Sequence, residues 1–382
     1  MKRSVFTEDQ LAFGAAFRQF LEKEFVPNEL DWDAAGIVPR ELFAEAGKHG
    51  FIGFNGPEQF GGGGVEDFRF NAILVEEANA LGVGTMTIGL GLHSDIVLPY
   101  LTTYCSEEQR QRWLPGVISG ETITAIAMTE PGTGSDLAGI ATRAVRDGDD
   151  YVVDGSKTFI TNGINADLVI VAAKTDPNER HAGLSLIVLE RGMAGFERGR
   201  NLEKAGQHVQ DTAELSFTNV RVPAANVLGE LGQGFRYLVS NLPQERLGIA
   251  INAVASARRY LQWTVDYVQQ RKAFGKPLAA LQNTRFTLAE CATEIDVAQA
   301  FVDQCLLAHV AGELDAVEAA KAKWWTTELA SRIADRCLQL HGGYGYMKEY
   351  PISRAYVDSR VARIYGGTTE IMKEIIGKNL LP

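Results

Sequence analysis

Cysteine is scarce and scattered: Cys105, Cys291, Cys305 and Cys337 are the only four in 382 residues, and no two form a Cys-x-x-Cys pair. That removes a disulfide framework or a cysteine zinc site as an organising feature, and it fits a reducing cytoplasm. The six histidines show no His-x-x-x-His spacing, so a metal centre lacks support as well. Long apolar runs are missing: stretches such as Leu168 to Lys174 and Leu184 to Leu189 are far shorter than the ~20 residues that span a bilayer. The start, Met1 to Glu24, turns acidic and amphipathic after two basic residues, unlike a signal or transit peptide, and reads as mature protein. Positive charge is not in excess either. Lys and Arg number 37 against 48 Asp and Glu, a net charge of −11 without a basic run, which argues against nucleic acid as the ligand. No Gly-x-Gly-x-x-Gly follows a strand-like segment, so no Rossmann dinucleotide site is indicated.

Apolar material is plentiful, 46% against 22% charged, enough for a large core divided among two or three domains. The N-terminal third, 1–122, has helical periodicity. Thr7 and Gln10 form a capping box, Phe6 and Leu11 occupy the staple positions, and Phe13, Phe17, Phe20 and Leu21 share one face until Pro27. Further helical stretches cover Arg40 to Lys48, Asp67 to Leu81 and Glu107 to Ile118. Near residue 122 the period changes to two and turn residues multiply. Arg146-Asp147-Gly148-Asp149 separates two strands, Asp154-Gly155 separates Tyr151 to Val153 from Lys157 to Thr161, and Leu168 to Lys174, Leu184 to Leu189 and Glu214 to Val222 follow. This block, 123–227, reads as a small β domain. From 228 to 382 long helical segments return, Gln244 to Gln270, Leu281 to Ala311 and Val317 to Leu340, and predict an antiparallel bundle.

Five polar and glycine-rich clusters interrupt this pattern. Ala127 to Asp136 (AMTEPGTGSD) offers amides and hydroxyls around glycines that permit close approach of a phosphate or ring edge; a Pro-Gly turn with capping Ser135 and Asp136 is the plainer reading. Gly155 to Gly163 places Phe159 and Thr161 on one strand face, which suits a planar polar ring or a half-buried sheet. Arg271 to Pro277 with Gln282 combines cations and an aromatic at a helix end, as an anionic cofactor requires or as a basic helix C-terminus displays. Gln339 to Tyr346 and Ile364 to Ile371 are glycine-rich breaks within a helical region. One such break is a loop; two, with three polar clusters upstream, suggest a shared ligand.

In this order, the five clusters closely resemble the acyl-CoA dehydrogenase family, over nearly the whole chain from Phe6 to Leu380. The resemblance implies an α+β multi-domain fold: an N-terminal helical domain, a middle β domain of barrel or sandwich type and a C-terminal four-helix bundle. It also implies bound FAD, an acyl-CoA substrate, a homotetramer built as a dimer of dimers and an electron-transferring flavoprotein as acceptor. By motif position, Met128, Thr129 and Ser135 resemble flavin contacts, with Ser135 also near CoA, and Phe159 and Thr161 lie against the isoalloxazine. Arg271, Phe274, Gln282, Gln339 and Gly343 resemble residues reaching the FAD of a neighbouring subunit. Thr368 and Glu370 match positions on its AMP side, while Arg246, Tyr365 and Gly366 join Ser135 about the substrate.

Most members of that family carry their catalytic base as the glutamate of a Tyr-Glu-Gly-Thr loop. Here the loop reads Tyr365-Gly366-Gly367-Thr368. A subset, including the long-chain and isovaleryl enzymes, has the base on a helix directly before an arginine, which matches Glu245-Arg246 in Leu242 to Leu247. The long-chain branch is the nearest resemblance. A carboxylate is required because a thioester α-CH is a weak acid, and a desolvated carboxylate is a stronger base. Glu370 is the runner-up, and a surface position is the plain alternative for Glu245. The resemblance also supplies donors for the enolate oxygen, a loop N–H that Gly366 can provide and a flavin ribityl hydroxyl. Two other readings stand beside the dehydrogenase: an oxidase using oxygen, which in related folds carries a further C-terminal domain, and a catalytically silent flavoprotein scaffold. Chain length and branching of the acyl group are not legible, although the long-chain branch favours a medium, long or branched chain.

Overall fold

The computed structural model describes residues 3–381. Helix α1 (Glu8–Glu24) opens on the expected capping box between Thr7 and Gln10. Its buried Phe17, Phe20 and Leu21 join Phe25, Phe43 and Phe51 in an aromatic-rich core. The staple is different: Leu11 is exposed, and Phe6 packs against the core of the C-terminal bundle. Arg3 explains the redirection, because it holds Glu76 at 2.7 Å and Asp303 at 2.6 Å and so ties the preceding segment to that side. The N-terminal region continues through α2 (Glu29–Ala35), α3 (Glu41–Lys48), α4 (Arg69–Leu81), α5 (Ile88–Gly91), a π-helical turn Leu92–Val97, α6 (Leu98–Tyr104) and α7 (Glu107–Ser119). The stretch from Ile88 to Tyr104 carried no readable period because its π-helical centre breaks the regular repeat.

Eight strands form one mixed sheet: β1 (Thr124–Ala127), β2 (Arg143–Asp147), β3 (Asp150–Thr161), β4 (Leu168–Lys174), β5 (Leu184–Glu190), β6 (Phe196–Asn201), β7 (Thr212–Pro223) and β8 (Val227–Leu228). The order is β6-β7-β3-β2-β4-β5-β8, with β1 parallel to β4. The two runs flanking Asp154-Gly155 are one strand, β3, with irregular pairing to β7 at Gly155 and again between Lys157 and Ile160. Gly155 has φ 149°, and a Cβ there would collide with Thr142, so glycine is what lets the strand run on. Strands β4 and β5 are buried on both faces, by the helical layer of Trp113, Leu114 and Val117 on one side and by the sheet's own interior on the other.

The C-terminal region holds α8 (Gly234–Gln270), the hairpin β9 (Lys272–Ala273) and β10 (Lys276–Pro277), α9 (Gln282–Val310), α10 (Ala316–His341), α11 (Pro351–Asp358) and α12 (Thr369–Leu380). The long helices α8, α9 and α10 bury a continuous core, with α12 laid along α10. Helix α8 starts at Gly234 rather than Gln244 and runs through Pro243. The missing N–H of Pro243 deprives the Val239 carbonyl of its helical donor, and burial of Leu238 and Leu247 on either side holds the helix together across the gap. That places the proline two residues before Glu245.

Candidate active site

Strand β1 delivers Met128 to Asp136 to the edge of the sheet, where a buried ion pair shapes the loop. Lys157 Nζ donates to the Met128 carbonyl at 3.0 Å and to Glu130 Oε1 at 2.8 Å. The Glu130 carboxylate also accepts the Ala141 and Thr142 amides at 2.7 and 2.9 Å. Burial pushes Lys157 down to about 8; it pushes Glu130 up, but Lys157 and the hydrogen bonds outweigh it and leave that carboxyl below its usual range. The Thr158 amide then donates to the Thr129 carbonyl at 2.9 Å. The first two sequence clusters thus become one surface, with Met128, Thr129 and Thr161 half-buried and Ser135 exposed. Phe159 stands out of it, 67% exposed at φ 60°. That backbone is strained for a bulky residue and is sustained by the β3 bulge.

Glu245 is buried in α8. Tyr100 Oη and Asn241 Nδ2 both donate to its Oε1 at 3.2 Å. Burial holds the carboxyl above its usual range, while these two donors and Arg246 pull part of the way back. Asn241 lies one turn before Glu245, so helical spacing could have flagged it; Tyr100 comes from α6 and had no sequence signal. Arg246 Nε donates to the Gly366 carbonyl at 3.3 Å, which joins the Glu245 turn to the Tyr365 to Thr368 loop. Gly366 and Gly367 have φ 65° and 97°, and a Cβ on Gly366 would run into Ile249 Cδ1. Glu370 has the opposite environment. It is exposed in the first turn of α12, and its own amide and the Thr368 hydroxyl hold it below the carboxylate range.

The third and fourth clusters meet at one end of the bundle. The Arg271 guanidinium lies over the Tyr344 ring at 5.3 Å. Phe274, at the tip of the β9–β10 hairpin, is 93% exposed at φ 51°. Gln282 begins α9, Gln339 lies in the last turn of α10 and Gly343 follows it, all exposed. Thr368 and Glu370 lie elsewhere, at the start of α12, where Thr369 donates to Glu328 of α10 at 2.9 Å and Lys323 of α10 donates to the Gly367 carbonyl at 2.6 Å. Lys323 and Gln339 are separated along α10 by roughly 24 Å at 1.5 Å per residue. A single chain therefore does not bring the Arg271 set and the Thr368 set together.

Thr129, Ser135, Thr161, Gln282 and Gln339 make no side-chain hydrogen bond with another described residue. Gly132, Gly134, Gly342 and Gly343 face open space. Two exposed aromatics, free hydroxyls and amides, and open glycines suit a large planar molecule carrying a diphosphate, and the residues fit FAD. Among the described residues no cluster of His, Cys, Asp or Glu could hold a metal, and no helix is long and apolar enough to cross a membrane.

Family models match the chain in three parts: the acyl-CoA dehydrogenase N-terminal domain over residues 7–121, its middle domain over 125–220 and its C-terminal domain over 232–381. The chain is 48% identical over 381 residues to a mitochondrial long-chain specific acyl-CoA dehydrogenase of Sus scrofa, covering 99% of this chain and 88% of that one. It superposes on the crystal structure of an acyl-CoA dehydrogenase from Geobacillus kaustophilus with a TM-score of 0.96 and 52% identity, covering 99% of both chains. A glutaryl-CoA dehydrogenase from Mycobacterium smegmatis, solved in complex with FADH2, is 30% identical with a TM-score of 0.91, covering 99% of this chain and 95% of that one.

Proposed function

The chain belongs to the acyl-CoA dehydrogenase family, and we propose that Glu245 is the carboxylate that takes the α proton of its thioester. It is an FAD-dependent oxidoreductase acting on CH–CH donors, with the family's three-region fold. The observation that carries the Glu245 reading is its burial, which raises its basicity, together with the Arg246 link to a loop that has glycine where the usual base stands. Glu370, exposed and weakened as a base, lacks both features. A positioned proton acceptor of this kind contributes roughly 10²- to 10⁴-fold.

Met128, Thr129, Ser135, Phe159 and Thr161 would hold the flavin side of FAD, and Thr368 and Glu370 its AMP side. When bound, FAD supplies the acceptor for the β hydrogen as hydride. Arg271, Phe274, Gln282, Gln339 and Gly343 serve the cofactor of a neighbouring copy. Their distance from Thr368 supports this, and the reading includes a homotetramer arranged as a dimer of dimers. Ser135, Arg246, Tyr365 and Gly366 line the substrate. The Gly366 N–H meets no acceptor among the described residues, which leaves it free to donate to the thioester oxygen as negative charge develops there.

Similarity to the long-chain enzyme supports a medium, long or branched acyl chain. The reading includes a cytoplasmic location, domain limits near 122 and 227, and an electron-transferring flavoprotein as acceptor. Anaerobic titration of the holoenzyme with acyl-CoAs of graded length, followed by flavin absorbance, identifies the chain preference. No bleaching with any of them rules out this assignment, and rapid stoichiometric peroxide formation under air replaces the dehydrogenase with an oxidase.

A further inference from the structure

Two cations are buried beside the Gly366 loop. Lys323 is 0% exposed and Arg246 5%, and neither forms an ion pair with a described carboxylate. A buried unpaired charge is costly, so its position calls for a reason. The acceptors their side chains find are two successive backbone carbonyls: Arg246 Nε donates to Gly366 O at 3.3 Å, and Lys323 Nζ donates to Gly367 O at 2.6 Å. Each bond fixes a peptide plane, 366–367 and 367–368, since carbonyl and amide of one peptide are coplanar. On the other side, the Tyr365 amide donates to the Val361 carbonyl at 3.2 Å. The plane between them, carrying Tyr365 C=O and Gly366 N–H, makes no hydrogen bond among the described residues. It takes its direction from its neighbours. Both loop glycines have positive φ, a region where glycine rotates with little steric cost, so the loop has no stiffness of its own.

We propose that Lys323 is a positioning residue for the reaction: by holding the Gly367 carbonyl it completes a two-cation latch that aims the Gly366 N–H at the thioester oxygen. The inference rests on the reading of Gly366 as the enolate donor, and it adds the group that keeps that donor in place. Lys323 touches no substrate. Its charge matters because a charge-assisted bond is roughly twice as strong as a neutral one. The groups facing it are Arg246 from α8, Glu328 on α10 and Glu370 from α12; burial first and Arg246 second push its ammonium down to about 8 while the two carboxylates oppose them. The latch is therefore charged at neutral pH and weakens as pH rises through about 8.

The test uses the holoenzyme with a trans-2-enoyl-CoA carrying a 13C carbonyl, whose infrared stretch falls in proportion to hydrogen bonding at its oxygen. The wild type is expected to lower that frequency at pH 7, with the downshift shrinking through pH 8. Lys323→Met is expected to lose most of the downshift and to slow flavin reduction by acyl-CoA by about tenfold or more, the scale of a small misplacement. Lys323→Arg should retain most of both. A wild-type enzyme with no downshift overturns the Gly366 donor itself. A normal downshift that persists unchanged in Lys323→Met overturns the latch alone. If Lys323→Met does not fold, the wild-type titration decides: a downshift constant from pH 7 to 9 overturns the latch.

Discussion

Glu245 lies in the middle of a long helix, buried beside Tyr100 and Asn241, and its carboxyl is held above the usual range. Glu370 lies in the first turn of α12, exposed, and is held below it by nearby donors. The side chain is the same and the shifts are opposite. Desolvation penalises the charged form at the first site, and hydrogen bonding favours it at the second. A motif can nominate a carboxylate, but its strength as a base follows from what surrounds it.

The sharpest way to break this contrast is to remove each carboxylate in turn. Glu245→Gln keeps size and loses basicity, and should lower the anaerobic rate constant of flavin reduction by at least about a hundredfold. Glu370→Gln should leave it within a few fold. Stopped-flow absorbance reads both, and the reverse pattern would return the base to the loop. A second variant asks whether the loop could carry a base at all. Adding Gly366→Glu to Glu245→Gln should restore only a small part of the rate, because φ 65° is strained for a side chain and Ile249 must shift to admit the new Cβ. Appreciable reduction in that double variant would mean the loop is softer than its geometry indicates.

The two ends of α10 support a weaker contrast. Arg271→Ala should loosen FAD by roughly 1.5 to 3 kcal/mol, the range for a charge-assisted contact, although the residue is far from Thr368 in its own chain. Fluorescence titration of the apoprotein with FAD measures this, and unchanged affinity removes Arg271 from the cofactor site. Tyr100→Phe should act more gently. The lost hydrogen bond had lowered the Glu245 pKa, so the acid limb of the reduction-rate profile should move to higher pH, with little change on the alkaline side. An acid limb that stays put would show that Tyr100 does not tune the base.

The smallest effect reverses sign relative to the first. Glu245 titrates higher folded than unfolded, so its contribution to stability is fully present below the unfolded pKa and is lost as pH rises through the folded one. Glu245→Gln should therefore raise Tm by a few degrees at pH 8 and not at pH 4, by calorimetry. Equal Tm differences at both pH values would deny that the carboxyl is forced to ionise in a buried setting.

Helices and strands with regular periods were legible in the sequence: α1, α3, α4, α7, α9, α10 and most of the sheet follow their apolar spacing. What escaped reading had local reasons. The π-helical turn before α6 departs from the α-helical repeat, Asp154-Gly155 reads as a break although the strand runs on through a bulge there, and the helix read from Gln244 leaves out the turns before Pro243, a residue type normally excluded from a helix interior. Within the site, Glu245 and its adjacent arginine could be singled out by resemblance, whereas Tyr100 and Lys323 could not. Each comes from a segment distant in sequence and meets its partner only by packing.

The order of residues alone determined the sequence of helical, β and helical regions, the five polar and glycine-rich clusters, and the absence of the loop carboxylate, because these depend on periodicity and residue identity. The tertiary structure decided which carboxyl is held above its usual range and which below, which carbonyls the buried Arg246 and Lys323 hold, and how the polar clusters divide between two ends of α10. Those outcomes depend on desolvation and on contacts between segments 44 to 145 residues apart, which no local pattern encodes.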